Sequence, residues 1–466
     1  MAEDLTEKFA YEIVAMLKSG EISVKEVIEA SRKRHEEVDR YVNALPLTFY
    51  DKALKRADEI DLKKERKNKK SLFGLPIAVK DYNDVEGIVT TYGSKIFEKN
   101  IPTVSDATVQ RLKDNGAIPV AKSNVPEWAG GHTFNPVYGV TRNPFNLEKV
   151  AGGSSGGSSV ALATNQVWLA TGNDLGGSLR TPAGFNNIVG LRPSVGVVPR
   201  GSRYHSFDSL WVEGPLGKCV TDIALMLDAG AGFCETDPLS FQHSCHSFVN
   251  SLGQFELPAK VAFTEDLGIV PVEREVRSKV RNVLPYLRNL GVEVGDEIPD
   301  FTGALEAFHT LRGLLLAYMM GDLLKSRRNE IQVDIVENIE VGFEVNNEQI
   351  ISAENLRQNL YRRMTGFFKD FDFLICPASS VLPFDIKTPF VTEIDGIQCK
   401  TYIDWFAITF ALTLTSCPVI SLPIGFSNDG LPVGIQILGK PREEDRLLAF
   451  AKLIEEKVGL QRNSPI

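Results

Sequence analysis

Apolar residues first recur along this chain at helical spacing. Over residues 7–18 and again over 24–40 they return every three or four positions, which predicts two amphipathic helices. Ser23 with Glu26 three positions on forms a capping box at the start of the second, since hydroxyl and carboxylate can each accept a backbone N–H of the first turn. From Leu72 the texture changes to short apolar runs punctuated by glycine. Leu75-Pro-Ile-Ala-Val-Lys80 reads as a strand, Ser105 to Gly116 as a helix ending at glycine, and Ile118-Pro-Val-Ala121 as a second strand. The rhythm returns with helices over Ser158 to Thr164, Glu273 to Leu290 and Glu443 to Val458. Extended runs lie over Val167 to Thr171, Val292 to Val294 and Phe373 to Cys376. This alternation predicts an α/β fold whose mixed sheet is covered by helices on both faces.

Nothing resembling a linker divides the chain, so the expectation is one domain over residues 1–466. Its parts are N-terminal helices to about 70, a central core over about 71–230, and the rest of the sheet with pocket-lining helices over about 231–466. The basic run Lys63 to Lys70 lacks aromatics and a helical face, so it reads as a solvated loop. At 43% hydrophobic and 24% charged the composition is that of a folded protein and excludes disordered, collagen-like and coiled-coil classes. The 60 acidic residues outnumber the 51 basic ones, giving a net charge of -9, so no nucleic-acid partner is expected. Six cysteines without a CxxC pair suit a reducing compartment. The N-terminal residues lack the basic and apolar regions of an export signal, and the aliphatic run 313–321 is too short to span a bilayer. The expectation is therefore a cytoplasmic protein with no membrane anchor.

Candidate chemistry begins at Ala151-Gly-Gly-Ser-Ser-Gly-Gly-Ser-Ser159. A flexible linker is the plain reading, but a helix start and a strand follow directly, which puts the glycines at a loop-to-helix junction. Phosphate cradling is a second reading, yet the lysine of a P-loop is missing. A second cluster, Thr171-Gly-Asn-Asp-Leu-Gly-Gly-Ser-Leu-Arg-Thr-Pro182, also follows an apolar strand. Ser178, after a run of small residues with free backbone N–H groups, has the surroundings of a nucleophile beside an oxyanion hole. Serine needs a base. His132 and His205 lie nearest in sequence, His35 and His309 fall in helices, and none sits in a triad-like context. His243 and His246 with Cys234 match no familiar metal-ligand spacing, so no metal and no cofactor is expected. Lys80 remains, at the end of an apolar strand where burial would favour its neutral form; a salt bridge to Asp81 is the competing reading.

Three blocks, Gly74-Leu-Pro-Ile-Ala-Val-Lys-Asp81, Gly152-Gly-Ser-Ser-Gly-Gly-Ser158 and Gly172-Asn-Asp-Leu-Gly-Gly-Ser-Leu-Arg-Thr-Pro182, resemble in order and spacing those of the amidase signature family. Flanking segments agree, among them Thr90 to Ser94, Lys122 to Glu127, Thr141 to Phe145, Gly190 to Ser194 and Val212 to Leu216, and the similarity runs from about residue 8 to about 457. The resemblance implies Ser178 as nucleophile, Ser154 as a bridging serine after a cis peptide at Gly153, and Lys80 as general base. It further implies an oxyanion hole from the backbone N–H groups of Leu175, Gly176, Gly177 and Ser178. Asn173 and Leu175 depart from the residue types more usual at those positions. The implied reaction is hydrolysis of an amide C–N bond through an acyl-enzyme.

Within that family, Tyr402 to Trp405 and Leu412 to Ser421 resemble stand-alone amidases more than the A-type component of the glutamine-dependent amidotransferase. Helix 305–324, with Leu311, Leu314, Leu315, Leu316, Tyr318 and Met319, reads either as core or as the lining of an apolar acyl or aryl pocket, and Trp128 is a further substrate-binding candidate. Two other classes compete. Gly152 to Gly156 and Gly153 to Gly157 both satisfy GxSxG, the pattern of an α/β-hydrolase esterase, and a catalytically dead relative would serve only in assembly with other chains. The expected partner is a small-molecule amide, and a homodimer is an admissible assembly.

Overall fold

The computed structural model describes residues 4–60, 70–202, 205–254, 256–258, 260–459 and 464–466. The basic run therefore lies outside the described residues except for Lys70. The eleven strands of the main sheet are, in chain order, β1 (Leu47–Thr48), β2 (Pro76–Lys80), β3 (Ile118–Ser123), β4 (Leu169–Asp174), β5 (Val189–Arg192), β6 (Val212–Gly217), β7 (Lys260–Phe263), β8 (Glu293–Gly295), β9 (Phe373–Pro377), β10 (Val419–Phe426) and β11 (Pro432–Leu438). Their order across the sheet is β1-β3-β2-β4-β6-β5-β10-β11-β9-β7-β8. The sheet is mixed: β2 runs parallel to β3 and β4, β7 runs parallel to β8 and β9, and the middle from β4 to β9 is antiparallel. Every residue of β2, β4, β6, β9 and β11 is buried, as a sheet covered on both faces requires.

The helices that matter to the site are α1 (Ala10–Ser19), α2 (Val24–Val42), α3 (Gly156–Ala163), α4 (Ala304–Arg327), α5 (Val333–Glu344) and α6 (Ala407–Thr413). The Ser23–Glu26 capping box opens α2, with Ser23 N–H donating to the Glu26 carboxylate at 2.7 Å and Glu26 N–H to the Ser23 hydroxyl at 3.2 Å. All of α3 is buried, which is why its sequence, Gly-Gly-Ser-Ser-Val-Ala-Leu-Ala, uses small side chains. The helix expected over Glu273 to Leu290 is instead two, Arg274–Val280 and Val283–Asn289. Pro285 explains the break: its ring conflicts with the carbonyl four positions back, at Arg281, while in the first turn of the second helix its missing N–H costs nothing.

Apolar residues pack into two large bodies. One surrounds β2 to β4 with α1 and α2, and includes Ile13, Ile28, Ile77 and Leu169. The other surrounds the C-terminal strands and α4, with Phe308, Ile375, Phe410 and Ile437. The carboxyl ends of β2 and β4 lie side by side, and Phe308 and Arg312 of α4 line the cavity at the loop that follows β4. Among the described residues no helix is long and apolar enough to cross a membrane.

Candidate active site

The register Ala78↔Ala170 carries β2 and β4 forward together, so Lys80 at the end of β2 comes level with the Gly172–Asn173 end of β4. Its side chain is wholly buried, and Nζ lies 2.7 Å from Ser154 Oγ, 2.8 Å from Ser155 Oγ and 2.6 Å from Asn173 Oδ1. The peptide between Gly153 and Ser154 is cis. Burial lowers the Lys80 pKa to about 7, opposed by the negative charges of Glu213 and Asp174. Near neutral pH, then, a substantial share of Lys80 carries a free lone pair, and the oxygen closest to its reach on the cavity side is that of Ser154. The competing salt bridge is not formed, because Asp81 pairs with buried Lys122 at 3.0 Å.

Ser178 follows β4 in the loop 175–178 and is partly exposed at a narrow cavity lined by Gly131, Gly153, Leu175, Gly176, Phe308 and Trp405, among others. Among the described residues its hydroxyl makes no hydrogen bond, so Lys80 and Ser154 are joined while Ser178 stands open. The loop is clamped from beneath. Asp174 accepts the N–H groups of Gly177 (2.9 Å) and Leu179 (3.1 Å) and pairs with buried Arg180 at 3.0 Å and Arg192 at 3.3 Å. Burial pushes this carboxyl up, but the two guanidiniums outweigh it and hold its pKa at about 2. Arg180 also donates to Thr409 O, Thr413 Oγ1 and Gln436 Oε1, which ties the loop to α6 and β11.

This clamp alters the expected oxyanion hole. With the Gly177 N–H spent on Asp174, the loop amides that make no hydrogen bond among the described residues are those of Leu175, Gly176 and Ser178. Gly177 serves conformation instead: its φ is +130°, and a Cβ there would stand 2.2 Å from Thr409 Oγ1. Asp174, Arg180, Arg192 and Ser155 were all missed by sequence reasoning. The Asp and Arg six residues apart around Gly-Gly-Ser were the available signal.

Glu213 on β6 was also missed. It is buried, accepts from Asn83 Nδ2 at 3.1 Å and Trp211 Nε1 at 3.0 Å, and burial raises its pKa. Beyond Leu175 an apolar pocket opens, lined by Tyr82, Tyr92, Trp128, Trp211, Leu315 and Met319. Trp128 packs against Tyr92 and Phe97, and its indole N–H has no partner among the described residues. Both readings of helix 305–324 hold in part. Leu315, Leu316 and Met319 line the pocket, Leu311 belongs to the core, and Leu314 and Tyr318 are exposed.

The histidines stand elsewhere. His132 has its pKa lowered by burial to about 4, His205 packs at a tilt against Tyr318 with ring centres 4.6 Å apart, His309 pairs with Asp404 at 3.2 Å, and His35 with Gln166 at 3.0 Å. His243 bonds Glu444 at 3.1 Å rather than Cys234 or His246. Among the described residues no group of three or more His, Cys, Asp or Glu is placed to hold a metal ion. Neither Ser154 nor Ser155 has a histidine partner among them, which leaves the GxSxG reading without its base.

Comparison with known proteins agrees with the geometry. The family profile described as Amidase matches residues 26–448. The acylamidase of Rhodococcus erythropolis is 30% identical over 453 residues, covering 96% of this chain and 94% of that protein. The A-type component of the glutamyl-tRNA(Gln) amidotransferase of Thermodesulfovibrio yellowstonii is equally similar, 30% identical over 488 residues and covering 98% of each. The crystal structure of a bacterial aryl acylamidase of the amidase signature enzymes superposes with a TM-score of 0.91 at 28% identity, covering 98% of each chain. With its family profile, its relatives and its fold in agreement, the chain belongs to the amidase signature family and is an amide hydrolase.

Proposed function

We propose that the chain is a stand-alone amidase that cleaves apolar or aryl amides through an ester on Ser178. The observation that carries this reading is the buried Lys80 Nζ at 2.7 Å from Ser154 Oγ, beside a cavity that exposes Ser178 and three unengaged loop amides. Neutral Lys80 accepts the Ser154 proton as Ser154 accepts that of Ser178, and Ser178 Oγ bonds to the amide carbonyl carbon. The displaced electron pair collects on the carbonyl oxygen, where the N–H groups of Leu175, Gly176 and Ser178 stabilise it; removing one such donor costs roughly a hundredfold to a thousandfold. Collapse breaks the C–N bond, and the proton held by Lys80 returns through Ser154 to the leaving nitrogen. Water then attacks the ester carbon and gives a proton to Lys80 by the same path; collapse breaks the bond to Ser178 Oγ, the proton returns through Ser154 to that oxygen, and the acid leaves.

The aromatic pocket beyond Leu175 suits an aryl or aliphatic substituent. A second reading, the A-type component of a glutamine-dependent amidotransferase, is favoured by the equal identity to such a protein. One experiment separates the readings. The purified chain alone is expected to hydrolyse acetanilides but not glutamine, to lose that activity in Ser178→Ala, and to be labelled by a fluorophosphonate on Ser178. Anilide turnover that survives Ser178→Ala, or label found only on Ser154 or Ser155, overturns the nucleophile, and glutamine hydrolysis that outruns anilide hydrolysis favours the amidotransferase reading.

A further inference from the structure

Arg312 is the one charged side chain lining the Ser178 cavity among the described residues, and it is 4% exposed. Its Nη1 donates to Asn338 Oδ1 on α5 and its Nη2 to Tyr402 Oη at 2.6 Å. Both acceptors are neutral. Among the described residues no carboxylate lies at ion-pair distance from this guanidinium. Asp404, two residues from Tyr402, is engaged elsewhere: it accepts from His309 at 3.2 Å, from the Thr401 hydroxyl at 2.6 Å, and from the N–H groups of Lys400 and Thr401 at 2.8 and 3.0 Å.

A cation buried without a counter-ion is costly, and the cost is tolerated where a ligand supplies the missing charge. The helix pair that carries Arg312 and Asn338 is packed closely enough to hold the guanidinium still. A Cβ on Gly342 of α5 would stand 2.0 Å from Gly313 O of α4, so the two backbones touch one residue from Arg312. Along α4, Phe308 and Arg312 face the Ser178 cavity, while Leu315 and Met319, three and seven positions further, face the aromatic pocket. The guanidinium therefore stands on the same helix between residues of the Ser178 cavity and residues of the aromatic pocket. Two nitrogens anchored by neutral acceptors leave further N–H donors of the fork for a planar, bidentate partner.

We propose that Arg312 recognises a carboxylate on the substrate, so that the preferred substrates are amides carrying a second, anionic group on the acyl or the amine part. This rests on the amidase reading above. The test uses two matched pairs of anilides and the wild-type chain. Succinic acid monoanilide against butyranilide places the carboxylate on the acyl side, and 4-acetamidobenzoate against 4-acetamidotoluene places it on the amine side. One charge-assisted bidentate contact is expected to favour the carboxylated member of one pair by roughly tenfold to a hundredfold in kcat/KM, and that pair identifies the side.

In Arg312→Met the ratio within the favoured pair is expected to fall toward one, whatever happens to the rate common to both members, and Arg312→Lys is expected to recover part of it. The wild-type ratio keeps the test decisive if the variants misfold. Ratios near one in both pairs for the wild type overturn the proposal, as does a ratio that survives Arg312→Met. In either case hydrolysis of the neutral anilides, lost in Ser178→Ala, leaves the amidase reading standing. Absence of anilide turnover altogether overturns both.

Discussion

Replacing Lys80 with methionine keeps an unbranched side chain in the site and removes the ammonium, and its effect on stability depends on pH in a calculable way. In the unfolded chain Lys80 titrates at the ordinary 10.5, whereas in the fold burial holds it at about 7. Between these values the unfolded chain binds the extra proton, so wild-type stability rises with pH across that window, and below about pH 7 the full cost of the buried lysine is present. Integrating this linkage from about pH 9 down to about pH 6.5 gives a loss of roughly 2 to 3 kcal/mol that Lys80→Met does not share. Coupling to Glu213 spreads the change over a wider range, which lowers the smallest expected effect to about 1 kcal/mol. Urea unfolding of both proteins at the two pH values reads this, because titrating groups that do not interact with Lys80 cancel in the difference between them and Glu213 contributes only through its coupling to Lys80. The stability of Lys80→Met relative to wild type should rise on acidification. A relative stability that does not change with pH would refute the perturbed lysine, and with it the rise of wild-type kcat/KM on a limb near pH 7.

Two further outcomes follow, one from a charge that acts on that lysine and one from the Ser178 loop. Glu213→Gln removes a negative charge that raises the Lys80 pKa, so the acid limb of kcat/KM should move to lower pH; a limb that moves up or stays in place contradicts the coupling. Gly177→Ala forces a side chain at φ +130° into Thr409, whose hydroxyl donates to Gly176 O and Phe406 O at 2.7 Å, and should cost about 2 kcal/mol or more along with most activity. Wild-type thermal unfolding and rates in this variant would show that the loop tolerates rearrangement.

What the sequence disclosed was local. Lys80, Ser154 and Ser178 each sit in a short block with its own turn chemistry, and the strand Pro76–Lys80 and helix Val24–Val42 carry their signals within a few residues. What it hid was pairing across the chain. The strand Val212–Gly217 contains Gly214 and Pro215 and receives no secondary structure from the sequence pattern, yet it lies within the sheet between β4 and β5. The engagement of the Gly177 N–H depends on Asp174 being held by Arg192 from a neighbouring element, which no spacing rule within residues 171–182 reveals. Helix 305–324 defeated a single assignment because core and pocket residues overlap on it: Leu311 and Leu315 both pack in the core, and Leu315 also lines the pocket with Leu316 and Met319.

The order of strands across the sheet has a temporal meaning. The seventh and eighth strands across it, β10 and β11, are made of residues 419–438, near the end of the chain, and they alone join β5 on one side to β9 on the other. A ribosome emitting this protein from its N-terminus has delivered both flanks of the sheet before the piece that unites them. Until then β5 and β9 present bare edges, and Arg180 lacks the Thr409, Thr413 and Gln436 partners that fasten the Ser178 loop. Residues 1–418 thus carry Lys80, Ser154 and Ser178 without β10, β11 or the Gln436 contact that helps fasten the Ser178 loop. Such a chain gains most from a chaperone in the interval between the synthesis of β9 and that of β11.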